Sequence, residues 1–199
     1  MDTWRLKKKG FSLAEAATDG NRFLCANGYM GLRGTVEEAD KTQFPAITLA
    51  GVYDQYQNKW REPVNAPNCM FVSLCFDGCC LTVDDQIGEN HSIEIDYRRG
   101  VYHRDTDFGT VKLSSERFAS MAEHHLLADR LRIQVMKDGD LEIRTGISAD
   151  IWDINGPHLF DFRLGQGETL TAQAGTGEKG ITVAAIRPIM LMSETVAEA

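Results

Sequence analysis

Leu131-Arg132-Ile133-Gln134-Val135-Met136-Lys137-Asp138-Gly139-Asp140-Leu141-Glu142-Ile143-Arg144 alternates apolar and polar residues on both sides of an Asp-Gly pair. Period-two alternation marks a strand with one face buried and one wet. Asp and Gly both tolerate the positive φ of a tight turn. The stretch therefore predicts two strands and a hairpin from about 131 to 147.

The same pattern recurs outward from there. Ile93-Glu94-Ile95-Asp96-Tyr97 alternates in the same way. Met70–Phe76 and Cys79–Val83 flank a second turn pair, Asp77-Gly78, and predict a second hairpin. Further strands are expected at 46–53, 101–106, 110–118, 122–128, 168–174 and 180–186. Helix signals are few: Ser12-Leu13-Ala14-Glu15 has capping-box spacing and predicts one short helix. Many short strands at regular intervals, with no βαβ unit, predict an all-β, mainly antiparallel β-sandwich with one or two short helices.

The 199 residues fit one domain, and 43% hydrophobic content is enough to fill a core. Against 21 Lys and Arg stand 29 Asp and Glu, a net charge of −8, which excludes the broad positive field that nucleic acid needs. The one basic run, Lys7-Lys8-Lys9, reads as solvated. No stretch has the h-region of a signal peptide or the ~18 apolar residues of a membrane helix, so the expected location is cytoplasmic. The five cysteines read as reduced thiols, mostly small core hydrophobes.

Candidate chemistry is thin. Gly28, Gly31 and Gly34 do not follow the G-x-G-x-x-G spacing of a dinucleotide loop, and no Lys-Ser/Thr follows for a phosphate loop. Glycines this dense point to tight turns or to close approach of backbone to another surface. Cys79-Cys80 and His124-His125 are sequence neighbours, whose side chains diverge on a strand, so no metal site is expected. The pairs Glu37-Glu38 and Asp84-Asp85, with Asp105 and Asp107, read chiefly as a solvated acidic face. No G-x-S-x-G elbow is present.

Phe23-Leu24-Cys25-Ala26-Asn27-Gly28-Tyr29-Met30-Gly31-Leu32-Arg33-Gly34, followed by Glu37-Glu38, closely resembles a motif of glycoside hydrolase family 65, the maltose, trehalose, kojibiose and nigerose phosphorylases and related hydrolases. In order, Ile47–Asp54 is similar to the family's "tYlAGvYd", Val64–Asn68 to "lvNlPn", Asp96–Arg104 to "lDl-x-x-Gvl-x-R" and Glu116–Ser120 to "serf-S". The resemblance implies the family's N-terminal domain over 1–199, a super-sandwich of the galactose-mutarotase-like type, with a closing strand or more expected beyond it. It also implies that the partner is the catalytic α/α barrel domain of the same parent chain, so no catalytic, cofactor or metal residue falls on these residues. The parent would cleave an α-glucosidic disaccharide with inversion, inorganic phosphate serving as co-substrate in the phosphorylases. Asn27, Gly28, Tyr29, Gly31, Arg33 and Gly34 are the candidate domain-interface motif, with Arg33 either a contact residue or an internal strut. A homodimer is a further expectation. The alternative function is a free-standing carbohydrate-binding module presenting Trp60 or Trp152.

Overall fold

The computed structural model describes residues 4–190. In chain order its strands are β1 (Arg5–Lys9), β2 (Cys25–Ala26), β3 (Met30–Leu32), β4 (Ile47–Asp54) and β5 (Glu62–Asn65). Then come β6 (Asn68–Phe76), β7 (Cys79–Leu81), β8 (His91–Asp96), β9 (Val101–Asp107) and β10 (Val111–Ala119). The last five are β11 (Leu127–Val135), β12 (Leu141–Ser148), β13 (Leu159–Gln166), β14 (Leu170–Thr176) and β15 (Thr182–Arg187). One helix, α1 (Ala16–Arg22), follows a 3-10 turn at Leu13–Glu15. The strands pair antiparallel in four sheets, ordered β1-β8-β9-β10-β11, β2-β3-β4-β5, β12-β6-β7 and β13-β14-β15.

The fold is the expected all-β sandwich. Val72, Leu74 and Phe76 of β6 pack on Val111 and Leu113 of β10, sealing the five-stranded sheet against the β6 sheet. Leu32, Ile47, Val64, Met70, Leu159, Ala174 and Val183 draw β3, β4, β5, β6, β13, β14 and β15 around a second core. Phe23 and Cys25 cap the other end of the five-stranded sheet at Ile93, Ile95 and Tyr102.

Both stretches flanking Lys137–Asp140 are strands, but they do not pair with each other. β11 pairs with β10, Val135 opposite Val111, whereas β12 pairs with β6, Leu141 opposite Phe76. The Asp-Gly segment is a crossover between two sheets. Met136 N–H donates to the Thr110 carbonyl at 2.8 Å on one side, and Asp140 exchanges bonds with Asp77 at 2.8 and 2.9 Å on the other. The physical reason is burial: from opposite sheets, Leu131, Ile133 and Leu141 all reach the same core.

The Asp77-Gly78 hairpin is as expected, with φ of 48° and 78° at its two central residues. Its register sets Cys75 opposite Cys80, and the two are joined as a disulfide. This corrects the reading of five separate thiols; Cys25, Cys69 and Cys79 are free. The expected strand at 122–128 begins only at Leu127, so His124 and His125 lie in an exposed turn. The helix before 23 exists, but Ser12 does not cap it through its side chain; Asp85 accepts the Leu13 N–H at 2.8 Å instead. Lys8 is not solvated: it reaches Glu15 at 2.6 Å and also Asp19.

A Cβ on Gly139 would lie 2.4 Å from the buried Phe76 ring. Gly139→Ala should therefore cost about 1–3 kcal/mol in urea unfolding. A free hairpin turn, with Phe76 out of reach, would give a smaller loss.

Candidate functional site

The Asn27–Gly34 motif forms the β2–β3 hairpin. Asn27 is buried, and its Oδ1 accepts the backbone N–H groups of Tyr29 (3.0 Å) and Met30 (2.9 Å). Its Nδ2 donates to the carbonyls of Ser120 (2.7 Å) and His124 (3.0 Å), tying the hairpin to the 120–126 turn. Tyr29 packs edge-on against His125, ring centroids 4.4 Å apart. Gly28 has φ of 85°. Gly34 is required by close approach, since a Cβ there would sit 2.4 Å from Phe23 Cβ and 2.5 Å from its carbonyl oxygen. Gly31 lies beside Leu24 and Thr48. Arg33 turns inward: its guanidinium donates to Asn21 Oδ1 (2.7 Å) and the Ala17 carbonyl (2.6 Å), and lies 5.8 Å from the Trp152 ring centre. Those are strut contacts within the domain. Around the hairpin, Leu24, Met121 and Leu126 are exposed at 38%, 71% and 48%.

Glu37 and Glu38 are not on a solvated face. Alternation along β9 and β10 points Tyr102, Arg104, Thr106, Ser115 and Arg117 inward, and there they meet the acidic pair. Arg104 Nη1 donates to Glu37 at 2.6 Å and Glu38 at 2.5 Å, Nη2 donates to Glu38 at 2.7 Å, and Nε donates to the Thr106 hydroxyl at 2.9 Å. Ser115 donates to Glu37 at 2.7 Å, and Arg117 reaches the Thr35 carbonyl while stacking 4.0 Å over Tyr102. Burial opposes the Glu37 charge, but Arg104, Arg117 and Ser115 outweigh it and hold the carboxyl below its ordinary value. Thr106 Oγ1 also lies 2.8 Å from His91 Nδ1. Burial, with Arg104 nearby, pushes His91 down to about 3, so it is neutral and its Nδ1 accepts the Thr106 proton. Asp129, opposite Arg117 on β11, has no hydrogen-bond partner on either oxygen, and burial together with Glu37 pushes it up to about 7.

A second buried charge cluster lies where β4 ends and β5 begins. His158 Nδ1 faces Asp54 at 3.2 Å and Nε2 faces Glu62 at 2.9 Å, all three 1% exposed or less. Both ring nitrogens face acceptors, an arrangement that only the imidazolium satisfies. Burial lowers the His158 pKa, but the hydrogen bonds to Glu62 and Asp54 prevail and raise it. Glu62 also accepts the N–H groups of Ile154 and Asn155, each at 2.9 Å, and so fastens the 149–158 segment. Of the two sugar-stacking candidates, Trp60 is 56% exposed on the β4–β5 loop. Trp152 is not: its Nε1 donates to the Pro45 carbonyl at 2.8 Å and its ring packs on Phe44. Among the described residues, no cluster of three His, Cys, Asp or Glu is arranged to hold a metal, and no helix is long and apolar enough to cross a membrane.

The chain and its fold are matched by known proteins. Residues 6–194 fit the model of the glycosyl hydrolase family 65 N-terminal domain, and the chain belongs to that family. It is 41% identical over 159 residues to nigerose phosphorylase of Lachnoclostridium phytofermentans, covering 78% of this chain and 21% of that protein. It is 29% identical over 188 residues to 1,2-alpha-glucosylglycerol phosphorylase of Bacillus selenitireducens, covering 90% and 25%. A solved chain from human microbiome, provisionally named a kojibiose phosphorylase, shares the fold with a TM-score of 0.73 at 15% identity, over 92% of this chain and 27% of that one. The chain thus spans about a fifth to a quarter of the length of these relatives.

Two variants test the buried charges. Arg104→Ala strands two carboxylates and should cost about 3–5 kcal/mol of unfolding free energy; a cost under 1 kcal/mol would mean the pair is solvated. For His158, a raised folded pKa gives a contribution that is complete below the unfolded value near 6.5 and fades as pH rises through the folded value. His158→Gln should therefore be less stable than the parent by about 1–3 kcal/mol at pH 6, and the gap should narrow by pH 9. A gap independent of pH would show that the imidazole is not charged.

Proposed function

We propose that this chain is a non-catalytic N-terminal sandwich that supports the catalytic α/α barrel of a cytoplasmic family 65 phosphorylase acting on an α-glucosidic disaccharide and inorganic phosphate. The observation that carries the reading is the Asn27 end of the domain. There a buried asparagine with four hydrogen bonds rigidly joins the β2–β3 hairpin to the 120–126 turn. Around that fixed frame Leu24, Met121 and Leu126 stay in water. Apolar residues on a rigid frame suit a permanent partner surface, because docking there orders little that is not already ordered. The names of the relatives, nigerose, kojibiose and maltose phosphorylases, support the substrate class.

The chemistry assigned to this chain is support. Arg33 braces α1 from within and leaves the exposed rim to make the contact. Dimer contacts through the same domain would be compatible with this frame.

The purified chain, given nigerose, kojibiose or maltose with inorganic phosphate, should release no glucose 1-phosphate. The segment that follows this domain in its relatives, expressed separately, should bind it. Met121→Asp with Leu126→Asp should abolish that binding and leave the melting temperature within a few degrees. Turnover by the chain alone, or undiminished binding by the double variant, overturns the proposal.

A further inference from the structure

On the far face of the β13-β14-β15 sheet lies an open groove of about 690 Å³. That volume is within the ~300–1,000 Å³ of small-molecule sites. The register explains the hollow. Phe160, Gly175 and Thr182 stand side by side across the three strands, and Gly175 contributes no side chain between its neighbours. A Cβ built on Gly175 meets nothing within 4 Å.

One wall is aromatic. Phe160 is 40% exposed and lies close against Gly177, where a Cβ would come within 2.8 Å of the ring. The other walls are polar. A one-residue bulge between Phe160 and Arg163 pushes Asp161 out with φ of 54°, and Arg163 sits opposite Gln173 on β14. Asp161, Arg163, Gln173 and Thr182 all line the groove, and none of these four side chains has a hydrogen-bond partner among the described residues.

We infer that this groove binds a neutral saccharide of one or two rings. A sugar presents hydroxyls that each donate and accept, together with an apolar C–H face. The groove supplies an acceptor in Asp161, donors in Arg163, both kinds in Gln173 and Thr182, and an aromatic face in Phe160. The one acid and the one base cancel, so an anion gains no net attraction. The site shares no residue with the Asn27 end, and it stands or falls separately from the supporting role proposed above.

The groove is shallow, so affinity is expected to be weak, with Kd on the order of 1 mM. The experiment is a titration of the isotopically labelled chain with maltose and with nigerose, followed by amide shifts, with glucose 1-phosphate as the anionic comparison. The expected result is saturable shifts centred on Phe160, Gln173 and Gly175, with no gain from the phosphate. Gly175→Val sets a branched side chain on the groove floor without removing a polar group, where a Cβ meets nothing within 4 Å; it should keep the melting temperature and abolish binding. Phe160→Ala should weaken binding about tenfold or more. Absence of shifts, shifts centred on Trp60, preference for the phosphate, or unchanged binding by folded Gly175→Val would each overturn the assignment.

Discussion

The contact on which the fold depends is Arg104 with Glu37 and Glu38. A guanidinium on a central strand of the five-stranded sheet faces directly into the sandwich, where an apolar side chain would ordinarily stand. It can be there only because the 35–39 segment brings two carboxylates to it. In turn, that segment has few ladder bonds: the Glu37 carbonyl accepts from Val72 N–H at 3.2 Å, Arg117 reaches the Thr35 carbonyl, Val36 and Ala39 pack on Val83, and the two carboxylates pair with Arg104. Sheet and segment thus hold each other. Such a pair adds less net stability than an apolar repacking would, but breaking one side alone is severe, so it fixes one arrangement of the chain.

The Asp54–His158–Glu62 cluster repeats this device on the other irregular segment, 149–158. Residues flanking the first segment meet the second: Trp152 donates to the Pro45 carbonyl, Arg33 lies over its ring, and Lys41 pairs with Asp150 at 3.0 Å. Regular ladders build the sheets, and buried charge places the two connections that no ladder holds. Among these charges the arginines stay protonated at any ordinary pH. In the second cluster the hydrogen bonds to Glu62 and Asp54 raise the His158 pKa, so its hold on 149–158 weakens as pH rises through that value.

Strand positions were legible because a half-buried strand writes its period into the sequence; pairing partners were less so. Asp138-Gly139 has the composition of a hairpin turn, yet whether two strands fold back or cross between sheets is decided by where their apolar faces bury, a long-range matter. Asp77-Gly78 has the same composition and does make the hairpin, and only its register puts Cys75 across from Cys80. The family motif was readable from Asn27 to Gly34, and the structure gives reasons for several of its letters: Asn27 makes four bonds, and Gly34 lies against Phe23 backbone.

The buried charges were missed for a nameable reason. Counting acids on a chain of net charge −8 favours a wet face, and Glu37-Glu38 was assigned to one. The discriminating signal was phase, not count. Arg104 falls in step with Tyr102 and Thr106, and Arg117 in step with Leu113 and Ser115, so both occupy inward positions of strands whose outward positions carry Asp105, Lys112 and Phe118. An ionisable residue in the inward phase of an alternating strand demands a buried counter-charge. An acidic pair just after a glycine-rich hairpin, with no apolar residue between Glu37 and Glu38, was the available candidate. Read this way, the acidic pair and the two arginines of the resemblance belong to one structural unit. Their presence in the motif therefore reflects the internal placing of a loop.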